Sequence, residues 1–154
     1  MSIGQRSKPA RFASLEHEVF LSLQHLVAAL VQDSSELLKA AGLSGAQYNV
    51  LRILRGGDNA GMACGEIAER LISRDPDMTR LLDKLDALGF ISRSRDDIDR
   101  RVVTTRITDS GLAILADIDT PMNALHKRQL GHLGKAKLTE LLGLLDDAAS
   151  HSSS

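Results

Sequence analysis

Arginine side chains are concentrated in the middle of the chain. Nine of the 19 lysine and arginine residues lie between Arg70 and Arg106, together with seven acidic residues, whereas the whole chain of 154 residues has a net charge of −1. A guanidinium group is a planar fork of donors that binds phosphate oxygens or the guanine edge in pairs. The cluster therefore favours recognition of an anionic partner such as nucleic acid. Because arginine and aspartate alternate within it, a solvated surface of ion pairs is the competing interpretation.

Groups that would support catalysis or metal binding are scarce. The single cysteine, Cys64, excludes an internal disulfide and a zinc site built on several thiolates. The sequence contains no glycine-rich phosphate loop after a strand, no nucleophile elbow and no paired carboxylates flanked by apolar residues. We therefore expect a protein that is not an enzyme and that holds no cofactor or metal. Aromatic residues make up only 3% of the chain, which argues against single-strand binding by base stacking.

Nothing in the sequence predicts a membrane protein. No window approaches 18 consecutive apolar residues, and the basic segment 1–11 is not followed by the apolar stretch of a secretory signal. The expected location is the cytoplasm.

The two ends of the chain are predicted to be irregular. Segment 1–11 is predicted to be a flexible basic arm, and segment 150–154 a disordered tail.

Apolar residues recur at helical spacing over most of the chain. Ser44 and Gln47 form a predicted capping box, whereas Asp75 is the expected N-cap of the fourth helix, which Gly89 ends. The six predicted helices begin near Phe12, Ser44, Cys64, Pro76, Thr108 and Lys135.

Two β-rich segments interrupt the helices. Residues 90–93 and 102–107 are predicted strands, and a polar, charge-dense loop joins them. Helix, turn, helix and then hairpin is the order of a winged helix-turn-helix, so the predicted fold class is mainly α with a small β-hairpin. The terminal helices carry more leucine than a small lobe can bury, so we expect them to pair across a two-fold axis. The predicted organisation is a single domain over 12–149, with a DNA-binding lobe at 43–108 and dimerisation helices at 12–41 and 109–149.

In this arrangement the helix 76–88 enters the major groove and the hairpin lies along the minor groove. Arg80 is suited to guanine and Lys84 to phosphate. Asp77 is expected to stabilise the helix N-terminus or to accept from cytosine N4, and Asp99 to orient a neighbouring arginine. The candidate DNA-binding residues are Pro76, Asp77, Thr79, Arg80, Lys84, Arg93, Arg95, Arg100 and Arg101.

Several runs of residues resemble the MarR family of bacterial winged helix-turn-helix transcription regulators. The run 78–91 is similar to the family's recognition helix and first wing strand. Asp99-Arg100-Arg101, followed by 107–111, resembles its wing signature and the start of the next helix. Segments 43–51 and 66–71 resemble its second and third helices.

The resemblance implies a homodimer that binds a pseudo-palindromic operator on double-stranded DNA, with one winged helix on each half. Members of this family mostly repress transcription, and many release DNA when a small aromatic or phenolic ligand binds between the dimerisation helices and the DNA-binding lobe. Carried over by position, Leu23, Tyr48 and Leu51 would line that pocket.

Two other functions stay open. A winged helix can serve as a protein-interaction module without specific DNA binding, although its tip would then expose apolar or aromatic residues, and this tip has only Ile98. Alternatively, the chain is a thiol-based redox-sensing regulator through Cys64, because a helix N-terminus can lower the pKa of a thiol. A lone cysteine more often serves as a small hydrophobic residue.

Overall fold

The computed structural model describes residues 14–152, and the predicted basic arm at 1–11 lies outside them. The chain divides into two compact units between Asp33 and Ser34. The first unit holds most of the first helix, and the second holds its last turns and every later element. The helices are α1 (Leu15–Ala40), α2 (Gly45–Gly56), α3 (Cys64–Arg70), α4 (Met78–Ala87), α5 (Asp109–Leu130) and α6 (Gly134–Ser152), and the strands are β1 (Met62–Ala63), β2 (Ile91–Arg95) and β3 (Val103–Ile107).

The predicted fold class is confirmed: the described residues form a mainly helical protein with a small antiparallel sheet, in winged helix-turn-helix order.

At two helices, a side chain just before the helix caps its N-terminus. The Ser44 hydroxyl accepts from the Gln47 N–H at 3.1 Å, and the Gln47 side chain accepts from the Ser44 N–H at 2.9 Å, which is the predicted capping box. The Thr108 hydroxyl caps α5 by accepting from the Gly111 N–H at 3.1 Å.

The start of α4 differs from the sequence-based expectation. Asp77 caps this helix by accepting from the Arg80 N–H at 3.0 Å, so the prediction of Asp75 as N-cap is wrong. The Asp75 carboxylate instead accepts from the Asp77 N–H at 2.8 Å. This local turn contains Pro76, so the helix begins at Met78 rather than at Pro76.

The sheet has three strands in the order β1-β3-β2, one more than the sequence predicts. Met62 pairs with Thr105, and Gly61 before it has a φ of 83°, where a Cβ atom would lie 2.6 Å from the Thr105 carbonyl oxygen. Glycine at this position therefore lets the first strand approach β3. On the other edge, Arg95 pairs with Val103, so β2 extends two residues beyond its predicted end at Arg93.

The core of the second unit lies between the helices and one face of the sheet. Leu51 of α2, Leu85 of α4 and Leu115 of α5 are completely buried, and Ile91 of β2 joins them. Burial of these side chains stabilises the unit and fixes α4 and the hairpin on one scaffold.

Helix α6 runs through Ser152, so the chain segment predicted as a disordered tail from Ser150 is helical as far as the structure describes it. Within residues 14–152, no helix is both long and apolar enough to cross a membrane.

Thr108→Ala is expected to lower the free energy of unfolding by about 1 kcal/mol. The substitution removes the cap of α5 and also the hydrogen bond that the Thr108 hydroxyl donates to the Gly89 carbonyl at 2.6 Å. Urea denaturation measures the loss. Thr108→Ser keeps the hydroxyl and serves as the matched control, and an equal loss in both variants would contradict the assignment to capping.

Candidate nucleic-acid interface

Helix α4 presents a polar face to solvent opposite its buried face. Leu81, Leu82 and Leu85 are buried and Met78 packs against the same core, so the polar positions of the helix face outward at helical spacing. Arg80 and Lys84 lie one turn apart and line a cleft with the N-terminus of α2. The exposed polar residues of this face are Thr79, Arg80, Asp83, Lys84 and Asp86.

The acidic residue at the start of α4 is engaged within the chain. The Asp77 carboxylate holds the Arg80 N–H, which satisfies one of the free backbone donors of the helix N-terminus. Of the two roles expected for Asp77, the structure shows the stabilisation of the helix. Pro76 lies in the turn immediately before it.

Arg93 links the hairpin to helix α4. Its Nη2 atom lies 2.8 Å from Asp83 Oδ1 and 2.9 Å from Asp86 Oδ2, and its Nε donates to Asp86 Oδ2 at 3.2 Å. These hydrogen bonds raise the pKa of the Arg93 guanidinium above its ordinary value, Asp86 contributing most. The sequence analysis grouped Arg93 with the tip arginines, whereas the structure places it in the middle of strand β2, bound to two carboxylates of α4.

The tip of the hairpin is an ordered turn. The Asp96 carboxylate accepts from the Ile98 N–H at 2.7 Å and from the Asp99 N–H at 3.2 Å, and these bonds lower the pKa of Asp96. The Asp99 carboxylate binds the Arg101 guanidinium through Oδ1 at 3.0 Å and Oδ2 at 3.3 Å, which lowers the pKa of Asp99. The structure therefore brings Asp99 and Arg101 together, with the Arg101 side chain 92% exposed.

The other tip arginines adopt different positions. Arg95 donates from Nη1 to the Arg100 carbonyl at 2.8 Å, which braces the turn and leaves the Arg100 side chain at an exposed position. Arg106 of β3, which is not among the sequence-based candidates, donates to the Asn59 carbonyl at 3.2 Å and to Ser94 Oγ at 3.1 Å. The strand period could have identified Arg106, since its neighbour Thr105 is buried and successive strand residues face opposite sides.

The residues assigned to a ligand pocket lie in different environments. Leu23 belongs to the first unit, where it lines a shallow groove formed by side chains of α1. Leu51 is completely buried in the core of the second unit. Tyr48 is half-buried, and the Arg52 guanidinium lies 5.6 Å from the centre of its ring. Cys64 is exposed at the first residue of α3.

Two helices expose apolar side chains beyond what their own unit covers. On α1 the exposed residues follow the helical period, and on α6 they cluster in the middle of the helix. Faces of this kind favour contact with another protein surface. The exposed residues are Leu15, Val19, Phe20, Leu23, Val27 and Val31 on α1, and Leu142, Leu144 and Leu145 on α6.

Comparison with known proteins gives a consistent result. The sequence profile of the MarR family matches residues 43–103. The transcriptional repressor MprA of Escherichia coli K12 is 29% identical over 104 residues, which cover 67% of this chain and 59% of that repressor, less than two thirds of its length. A crystal structure of a MarR transcription factor from Planctomyces limnophilus is 42% identical, with a TM-score of 0.69 over 88% of this chain and 98% of that one.

A second solved structure shares the fold at lower identity. It is the complex of Staphylococcus aureus MepR with DNA, which is 19% identical and has a TM-score of 0.74 over 87% of this chain and 96% of that one. MprA and the Planctomyces limnophilus protein are regulators, in agreement with the expectation that the chain is not an enzyme.

Proposed function

The chain belongs to the MarR family, and from that premise we propose that it is a transcription regulator that binds double-stranded DNA sequence-specifically. One observation carries the proposal: a recognition helix with an exposed polar face and an arginine-tipped hairpin are fixed to the same core. A rigid pair of this kind can engage the major and minor grooves together. The MepR structure, which shares the fold, is a complex with DNA.

The proposed contacts divide between the two elements. Arg80 and Thr79 of α4 reach base edges in the major groove, and Lys84 binds phosphate. Arg100 and Arg101 at the hairpin tip bind the minor groove and its flanking phosphates, because a narrow minor groove concentrates negative potential. Arg95 supports them by bracing the turn.

We further propose that the regulator acts as a homodimer on a pseudo-palindromic operator. The exposed apolar faces of α1 and α6 supply surface that a second copy would bury. A symmetric dimer presents two recognition helices, and the spacing between them selects the spacing of the half-sites.

The proposed regulatory role is repression that a small aromatic or phenolic ligand relieves. The relative MprA is named a transcriptional repressor. Release follows from population shift: a ligand that binds better to the dimer with the wrong recognition-helix spacing lowers operator affinity by its differential affinity.

A salt series tests the proposed DNA binding. Fluorescence anisotropy would follow the full chain binding the duplex upstream of its own gene and a scrambled duplex of equal length and composition. We expect a clear preference for the native duplex and a loss of about 10³-fold or more between ~50 and ~200 mM salt, as for six or more phosphate contacts. A screen of genomic fragments extends the search to operators elsewhere. Absence of preferred binding in both experiments would overturn the proposal and favour the protein-interaction module.

A further inference from the structure

The outward face of α4 carries a carboxylate among its cationic residues. Asp83 lies three residues after Arg80 and four after Thr79, so helical geometry places the three side chains next to one another. The Asp83 side chain is 56% exposed. A carboxylate on this face would enter the same groove as Arg80 in the proposed DNA complex, where an unpaired negative charge would be repelled by phosphate.

Arg93 forms an ion pair with Asp83, which neutralises the carboxylate and fixes its position. Its guanidinium binds Asp83 through Oδ1 at 2.8 Å, and the same nitrogen is held 2.9 Å from Asp86. The backbone of Arg93 is in turn paired in the sheet with Thr105, a completely buried residue. The Asp83 carboxylate is therefore tied to the rigid core through Arg93 while half of its side chain remains open to a ligand.

A fixed carboxylate in the major groove can bind only a few groups on the base edges. An ionised carboxylate only accepts hydrogen bonds, and the base-edge donors in that groove are the amino groups of cytosine N4 and adenine N6. Adenine presents the N7 acceptor beside its amino group, which repels a second carboxylate oxygen, whereas cytosine has no acceptor on its own groove edge. Cytosine is therefore the better partner.

On the basis of the proposed DNA-binding function, we infer that Asp83 is a specificity-determining residue that accepts a hydrogen bond from cytosine N4, and that Arg93 positions it. Base selection at this point of each half-site then depends on an acidic residue as well as on Arg80. Asp86 is the other carboxylate partner of Arg93.

Base-by-base substitution of the preferred duplex tests the inference. The native chain should bind about tenfold more weakly when one particular C·G pair in one half-site is replaced, within the range for a mismatched base pair. Asp83→Asn should change the preference at that pair from cytosine to adenine, because an amide binds adenine N6 and N7 in pairs. The preferences at all other positions should stay as they are.

Asp86→Asn is the matched control, since it removes the same charge and a partner of the same arginine. The amide oxygen can still accept the hydrogen bond from Arg93, so we expect this variant to change affinity for all duplexes by a similar factor and to keep the cytosine preference. Arg93→Lys is a second variant, which keeps the charge but loses the guanidinium fork, and it should reduce discrimination at the same C·G pair alone. Thermal melting confirms that each variant is folded.

Two results separate the inference from the function on which it rests. If the native chain prefers one duplex and Asp83→Asn retains every base preference of the native chain, Asp83 does not read a base and the inference is overturned. If the native chain shows no sequence preference among the genomic fragments, the proposed function itself fails.

Discussion

Replacing Arg100 and Arg101 together with alanine is expected to lower affinity about 100-fold for each half-site at low salt, and by more for a dimer bound to both half-sites. Each arginine that binds DNA through charge-assisted hydrogen bonds contributes on the order of tenfold, or about 1 to 2 kcal/mol. Both side chains extend from a turn that Asp96 and Arg95 hold through backbone contacts, so the truncations remove charge at the tip and keep the turn. The slope of log affinity against log salt should fall by about 1 for each phosphate that the variant no longer binds.

A double variant elsewhere on the chain controls for net charge. Lys127 and Arg128 are also adjacent, exposed and cationic, but they lie in the last turn of α5, away from the hairpin in sequence. Replacing both with alanine removes the same charge and should leave the salt slope unchanged. Analytical ultracentrifugation of both double variants checks that the oligomeric state is the same. Equal losses of affinity would remove the hairpin tip from the proposed interface.

The helix caps and the buried face of α4 can be predicted from the sequence. The capping box at Ser44 and Gln47 and the cap at Thr108 involve residues three apart, so the residue types and their spacing suffice to predict them. Helical spacing likewise places Leu82 and Leu85 on one face of α4, and both are buried in the structure.

The features that escaped prediction depend on contacts between distant segments. Strand β1 is two residues long and exists because Met62 pairs with Thr105 across the sheet, which no alternation in so short a segment can indicate. The same holds for Arg93: its carboxylate partners became apparent only when the packing of β2 against α4 was known, because a charge run gives no information on which ions pair.

The N-cap of α4 was missed for a different reason. Asp75 and Asp77 are both suitable caps, and the residue between them is a proline that is favoured in the first turn of a helix. The structure selects Asp77 because the Asp75 carboxylate closes its own turn on the Asp77 N–H. Two local solutions of similar energy cannot be ranked from residue type alone.

Leu85→Ala should lower the free energy of unfolding by about 2 to 5 kcal/mol, the largest effect on stability that we expect from a single truncation in α4. The Leu85 side chain is 0% exposed and belongs to the cluster that joins α4 to the helices behind it. Truncation loses the transfer free energy of the buried groups and leaves a cavity that a close-packed core fills only in part. A loss of this size is a large fraction of the stability of a typical domain.

Urea denaturation at one fixed protein concentration measures the effect, because self-association would make the apparent stability depend on concentration. Leu88→Ala is the control within the same segment, since Leu88 is 48% exposed and its truncation should cost less than about 1 kcal/mol. Where Leu85→Ala is fully folded, its operator affinity should equal that of the native chain, since Leu85 is completely buried and is not among the proposed DNA contacts. A loss below about 1 kcal/mol for Leu85→Ala would mean that α4 is held mainly by Arg93 and its carboxylates rather than by the apolar core.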